Sequence, residues 1–180
     1  VNYVIVDLDN CISDDAWRIP RIDWSKKSPL ERYHEYHSLS GFDDFVNTDV
    51  ATRPGQRVIV FTARPVLYRA ITEEWLRRNA VPFDHLVMRN NDDHRHSMEL
   101  KREMLHWLPE HYGVSWKSIA AAYDDRQDVV DMYRRHSIDA YVRAAHDVCA
   151  YTPPGAIAGN AMIVGANSAQ AAELRRKEAV

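Results

Sequence analysis

A chain of 180 residues, 46% hydrophobic and 27% charged, has the length and composition of one globular domain whose core needs no disulfide staples. Its net charge of -3 argues against broad nonspecific binding to nucleic acid, although a local basic groove stays open. The longest apolar runs are far too short to cross a bilayer, Asp7 interrupts any signal-peptide core, and two cysteines, Cys11 and Cys149, suit a reducing compartment; a cytoplasmic protein with no membrane partner is expected.

In chain order, β-rich apolar runs at 3–6, 57–61, 85–88, 119–123 and 140–142 alternate with helical patterns, which predicts an α/β fold on a parallel sheet with flanking helices. The segment 12–50 breaks that alternation. It carries Trp17, Trp24, Tyr33, His34, Tyr36 and His37, with a helix expected from Pro29 to about His37, and it reads as a small cap insertion leaving the first strand end and covering the crevice there. Pro65 stands where the next helix starts, and Leu67, Ile71 and Trp75 recur every four residues as far as Asn79. Lys101 shares the apolar stripe of Met104, Leu105 and Leu108, in a helix expected to end before Pro109. Val129, Val130 and Tyr133 mark the inner face of a last helix. The expected organisation is a domain over 1–150 and a C-terminal extension over 151–180, packed or loose.

In open sheets the ligand crevice lies beyond the carboxyl ends of the strands, so the residues there are the ones to inspect. They are Asp7, Asp9, Thr62, Arg64, Lys101, Asp124 and Asp125. Converging carboxylates need a cation, and Asp7, Asp9, Asp124 and Asp125 suit Mg²⁺, which takes oxygen ligands and bridges to phosphate. Within Asp7-Leu8-Asp9, one carboxylate can attack while the other serves as acid and base. Thr62 can hydrogen-bond a phosphate oxygen, and Lys101 and Arg64 can neutralise negative charge. Singly these are ordinary features: an Asp-x-Asp turn, an Asp124-Asp125 helix cap, a loop hydroxyl, a snorkelling lysine. Their order at successive strand ends is what points to phosphate chemistry.

These residues resemble the motifs of the haloacid dehalogenase superfamily: Asp7-Leu8-Asp9-Asn10-Cys11 the first, Thr62 the second, Lys101 the third, Asp124-Asp125 the fourth. The resemblance implies a Rossmann-like sheet, Asp7 as the nucleophile of an aspartyl-phosphate and Asp9 as general acid and base. It also implies magnesium held by Asp7, the Asp9 main-chain carbonyl and Asp124, with Asp125 close by. Cys11 replaces the family's usual threonine, which leaves its backbone N–H as the phosphate contact. Longer stretches, Val60-Phe61-Thr62-Ala63-Arg64, Asp93-His94-Arg95, Lys101-Arg102-Glu103 and Tyr123-Asp124-Asp125-Arg126-Gln127-Asp128, are similar to the 3'-phosphatase domain of bacteriophage-type polynucleotide kinase-phosphatase. That similarity suggests Arg64, Asp93 and Arg95 as further active-site residues; with Thr62, Cys11 and Trp17, the neighbouring Asn10 and Ala63 complete the expected substrate-binding set. No Gly-x-x-x-x-Gly-Lys-Ser/Thr phosphate loop is present in the 180 residues.

The substrate implied is a small phosphorylated molecule. A nucleoside monophosphate is favoured, because an aromatic insertion carrying Trp17 offers a ring to a base and the charge is not basic. Packing of the insertion is the plain alternative for Trp17, Trp24, Tyr33 and Tyr36. Arg18, Arg21, Lys26 and Lys27 could instead track a nucleic acid backbone, which keeps a polynucleotide 3'-phosphatase as the second reading. A third is an inactive binding module, against which the joint presence of Asp7, Asp9, Lys101 and Asp124 argues. His94, His96, His106 and His111 lack a zinc-site pattern.

Overall fold

The structure, a computed structural model, describes residues 2–25, 28–51 and 55–147. By its internal contacts the chain divides into Val1–Ala145 and His146–Val180, and the sheet, the insertion and the site all belong to the first unit. The expected extension over 151–180 lies outside the described residues.

β-prone apolar residues fill the runs read as strands, and the first four runs are mostly buried on both faces, as a parallel sheet between helices requires, while the run at 140–142 exposes Tyr141 and Val142. Strands β1 (Tyr3–Val6), β4 (Arg57–Pro65), β5 (His85–Arg89), β6 (Ile119–Asp124) and β7 (Ala140–Val142) form one sheet in the order β5-β4-β1-β6-β7, every neighbouring pair parallel. Side chains alternate across it. Tyr3, Ile5, Ile59, Phe61 and Val87 meet helices α4 (Ser97–Tyr112) and α5 (Gln127–Arg135) on one face. Val4, Val6, Val58, Val60, Leu86 and Met88 meet Trp75 and Leu76 of helix α3 (Arg69–Arg78) on the other.

Two prolines act otherwise than the sequence suggests. Pro65 closes β4 instead of opening a helix, and a 3-10 turn, Val66–Tyr68, separates it from α3. Pro109 does not stop α4, which runs on to Tyr112 and ends at Gly113, left-handed at φ 65. A proline inside a helix orphans the carbonyl four residues back. Here that carbonyl, of Leu105, accepts the indole N–H of Trp116 at 2.8 Å, so the bond Pro109 cannot make is replaced by one from outside the helix.

The insertion holds a short antiparallel pair, β2 (Ser13–Asp14) with β3 (Asp44–Phe45), and helices α1 (Pro29–Ser38) and α2 (Thr48–Ala51). α1 starts in a capping box: Ser28 Oγ accepts from the Glu31 N–H while the Glu31 carboxylate accepts from the Ser28 N–H, with Pro29 in the first turn. The insertion touches the strand ends through side chains, since the Tyr33 hydroxyl donates to the Ala63 carbonyl at 3.5 Å and Tyr68 bonds His34. No helix among the described residues is long and apolar enough to cross a membrane.

Candidate active site

β1 stops at Val6, and the Asp7 N–H bonds the Tyr123 carbonyl at 3.0 Å; because Val6 pairs with Tyr123, Asp7 comes to lie beside Asp124. Lys101 on α4 is 2% exposed, its Nζ 2.7 Å from Asp7 Oδ1 and 2.6 Å from Asp124 Oδ2. The carboxylates of Asp7, Asp124 and Asp125 offer oxygens within 4.8 Å of one another. Asn10 sits at φ 56, a left-handed conformation that asparagine tolerates, and this turn lets its amide donate to Asp125 Oδ2 at 3.0 Å. Burial, reinforced by Asp124 and Asp125, pushes the Asp7 carboxyl well above the usual range despite Lys101. Burial raises Asp124 as well. With all three carboxylates ionised, one ammonium leaves two negative charges uncompensated in a buried place, and a donor set of hard oxygens with that excess fits a divalent cation.

Asp9 is not part of this cluster. Its carboxylate takes three bonds from Arg64, Nε at 3.0 Å to each oxygen and Nη2 at 2.7 Å, and one from Arg18 Nη2 at 2.8 Å. Burial would raise its pKa, yet the two guanidiniums outweigh burial and hold the carboxyl far below the usual range. The Asp9 side chain is therefore committed to cations, which leaves its main-chain carbonyl for the metal contact that the resemblance implies. The arginines also share Asp43, which accepts from Arg18 Nε at 2.8 Å, from Arg18 Nη2, and from Arg64 Nη2 at 3.2 Å. Arg64 Nη2 further reaches Ser13 Oγ at 3.3 Å. Two donors of the clamp, Arg18 Nη1 and Arg64 Nη1, are buried with no partner.

Thr62 is buried in β4, and its Oγ1 accepts the Arg64 N–H at 3.1 Å, which fixes how the backbone turns into Arg64. Ala63 between them carries the carbonyl bonded by Tyr33. Cys11 is buried, with its thiol pushed well up by burial and then by Asp7 and Asp124; its N–H donates to the Leu8 carbonyl at 3.1 Å, so the phosphate contact expected of that N–H is already occupied by the turn. Asp93 and Arg95 are brought to each other instead of to the carboxylate cluster, at 3.0 and 2.6 Å, with Glu103 also on Arg95 at 2.5 Å. Trp17 donates its indole N–H to Asp43 at 3.1 Å and lies under Arg21, so it braces the clamp. Arg18 is fully buried in the clamp and does not track a backbone, while Lys26 and Lys27 lie outside the described residues. Sequence reasoning misses Asp43 and misplaces Arg18, because an aspartate and an arginine 25 positions apart leave no periodic signal.

His37 stacks edge-on against Tyr33 and Tyr36, at 4.5 and 5.1 Å between ring centres. Burial, with Arg64, Arg18 and Arg89 added and Asp9 only partly opposing, holds its imidazole down to about 3. The unfolded chain takes that proton near the ordinary 6.5, so this contribution to stability is complete above 6.5 and lost as pH falls from there through about 3. His37→Phe keeps the ring contacts and removes the titration. Unfolding curves at stepped pH are expected to show the variant gaining on the parent in acid, and parallel curves would refute the assignment.

The model of the polynucleotide kinase PNKP phosphatase domain family matches residues 2–145. A search of curated proteins returns no significant match. Among solved structures, a chain of the Pnkp1/Rnl/Hen1 RNA repair complex is 28% identical with a TM-score of 0.58, over 78% of this chain and 42% of that one. This chain thus spans less than half of that relative's length. A presumed phosphatase from Clostridium difficile is 17% identical with a TM-score of 0.56, over 78% of this chain and 84% of that one, and shares the fold. So does a HAD family enzyme from Bacteroides thetaiotaomicron, 12% identical with a TM-score of 0.50, over 81% of this chain and 94% of that one.

Proposed function

Because the chain belongs to the polynucleotide kinase PNKP phosphatase domain family, and so to the haloacid dehalogenase phosphatases, we propose that it removes the 3'-phosphate from nucleic acid ends through an aspartyl-phosphate at Asp7. The observation that carries the chemistry is Asp7 held beside Lys101, Asp124 and Asp125 at the end of the central strand. An Asp7 oxygen attacks phosphorus, the bond to the leaving 3'-oxygen breaks, and Asp9 handles the proton. With Asp9 held as a carboxylate in the resting enzyme, that first proton enters with the substrate, whose phosphate has a second pKa of about 6 and reaches the site partly as its monoanion. In the second step Asp9 takes a proton from water as water attacks the acylphosphate, and inorganic phosphate leaves. Mg²⁺ bound by Asp7, the Asp9 carbonyl, Asp124 and Asp125 supplies charge neutralisation at the phosphate. Lys101 partly offsets the burial that raises the Asp7 pKa, and its ammonium aims the Asp7 oxygen.

The choice of substrate rests on the family and on the relative in an RNA repair complex. A nucleoside monophosphatase is the second reading, favoured by the net charge of -3 and by Trp24, which is 56% exposed on the insertion. Trp17, the ring that the sequence offers to a base, is taken up by Asp43 and Arg21. A panel of 3'-phosphorylated oligonucleotide, nucleoside 3'- and 5'-monophosphates and an aryl phosphate decides between them: the 3'-phosphorylated oligonucleotide is expected to have the highest kcat/KM. Turnover of a nucleoside 5'-monophosphate alone would overturn this reading in favour of the second. Chelator is expected to abolish turnover and Mg²⁺ to restore it. Restoration by zinc but not magnesium would contradict the oxygen-ligand argument.

A further inference from the structure

One buried cation is used by none of this chemistry. Arg89 ends β5, where the register sets it against Pro65, just beyond the β4 residues Thr62 and Arg64. It is 7% exposed. Its Nη1 donates to the Tyr33 hydroxyl at 3.3 Å, its guanidinium lies 5.9 Å from the centre of the Tyr33 ring, and its Nε is buried without a hydrogen-bond partner. Among the described residues no carboxylate pairs with it, and the nearby Asp93 gives its oxygens to Arg95.

A buried guanidinium with an unmade bond and no carboxylate paired to it, feeling Asp93 only at longer range, is costly to keep, so its place calls for an anion that arrives from outside. The surroundings say where that anion sits. Tyr33 ties Arg89 to the Ala63 carbonyl, between Thr62 and Arg64, and the exposed His94 stands edge-on to the same ring at 5.7 Å. In sheet order β5 is two strands from β1, roughly 10 Å from Asp7, whereas the reacting phosphorus lies about 3 Å from the attacking oxygen. Arg89 thus belongs to a second position along the substrate.

We propose that Arg89, with Tyr33 and His94, forms a second phosphate subsite that receives the phosphate on the 5' side of the sugar whose 3'-phosphate is removed. This rests on the 3'-phosphatase reading. Arg89 supplies a planar fork that suits phosphate oxygens, Tyr33 holds the fork in place, and His94 borders the subsite from the loop after β5. The phosphate can be an internucleotide diester or the 5'-phosphate of a nucleoside 3',5'-bisphosphate.

The test compares kcat/KM for a dinucleotide 3'-phosphate, a nucleoside 3',5'-bisphosphate and a nucleoside 3'-monophosphate in the parent, Arg89→Met, Arg89→Lys and His94→Ala. The dinucleotide to monophosphate ratio is expected to fall by about 10- to 100-fold in Arg89→Met and by less in Arg89→Lys. The logarithmic salt dependence of oligonucleotide binding should shrink by about 0.7, the share of the one phosphate that Arg89→Met no longer neutralises. The same loss with the bisphosphate marks a site for phosphate as such, and loss with the dinucleotide alone marks a site for the diester; both support the subsite. An unchanged ratio, or an equal loss for all substrates, overturns it. If Arg89→Met fails to fold, Arg89→Lys and the surface variant His94→Ala carry the same comparison. Failure of the 3'-phosphatase reading is seen separately, in the parent, as no turnover of any 3'-phosphate.

Discussion

Asp7→Asn is expected to lower turnover by about four orders of magnitude or more while leaving the chain folded. The amide has nearly the shape of the carboxylate but no oxygen able to attack phosphorus. Folding should survive because the carboxylate is a burden on the native state. Burial and the neighbouring Asp124 and Asp125 raise the Asp7 pKa well above its ordinary value. By linkage, a group with a raised folded pKa stabilises below the unfolded value and loses that contribution as pH rises through the folded one. Near neutrality the neutral amide removes the cost of an ionised Asp7, and Lys101 keeps its bond to Asp124 at 2.6 Å. Turnover with oligonucleotide and aryl phosphate, a phosphoenzyme trap and a thermal melt read these effects together. Full activity in the variant would end the assignment of Asp7 as nucleophile, and a collapsed melt would mean that Asp7 is chiefly structural.

The parts legible in the sequence are those that local pattern encodes. Tyr3–Val6 reads as a strand because buried parallel strands are short apolar runs, and Ala140–Val142 reads as one from its apolar, β-prone residues although the sheet edge leaves Tyr141 and Val142 exposed. The Asp-x-Asp pair, Lys101 on an apolar stripe and Asp124-Asp125 stand out because each breaks the pattern around it. What stays hidden depends on residues meeting across the chain. The end of α4 is not legible at Pro109 because the remedy for that proline, Trp116, lies outside the helix. The fate of the Asp9 carboxylate is not legible either, since Arg64 is 55 positions away and Arg18 comes from the insertion. Asp43 and Arg89 look like ordinary surface charges, and only the fold buries them. The family resemblance names Asp93 and Arg95 without saying that they face one another.

The clamp on Asp9 yields the second large effect. In Arg64→Lys a single ammonium replaces a fork that makes three bonds to Asp9, so kcat/KM is expected to fall by about 10²–10³-fold. Arg18→Gln tests the cause more directly. Arg18 and Arg64 together hold the Asp9 carboxyl far below the usual carboxylate range. A depressed pKa in the folded state keeps Asp9 ionised, hence ready as a base, at every pH above that value; activity that needs the carboxylate falls only when pH drops through it. The step of the acid limb of kcat/KM that belongs to Asp9 should therefore lie below the ordinary carboxylate range, beneath the fall set by protonation of Asp7, whose pKa is raised, and Arg18→Gln should move the Asp9 step up, toward that range. The same variant leaves Asp43, fully buried, with one arginine instead of two, and breaking a buried pair in this way costs about 3–5 kcal/mol of stability. A melt measures that loss apart from the pH profile. If the limb stays where it was while the protein loses stability, Arg18 is a structural partner of Asp43 and the basicity of Asp9 is set elsewhere. If limb and stability both shift, the clamp tunes the proton chemistry of Asp9.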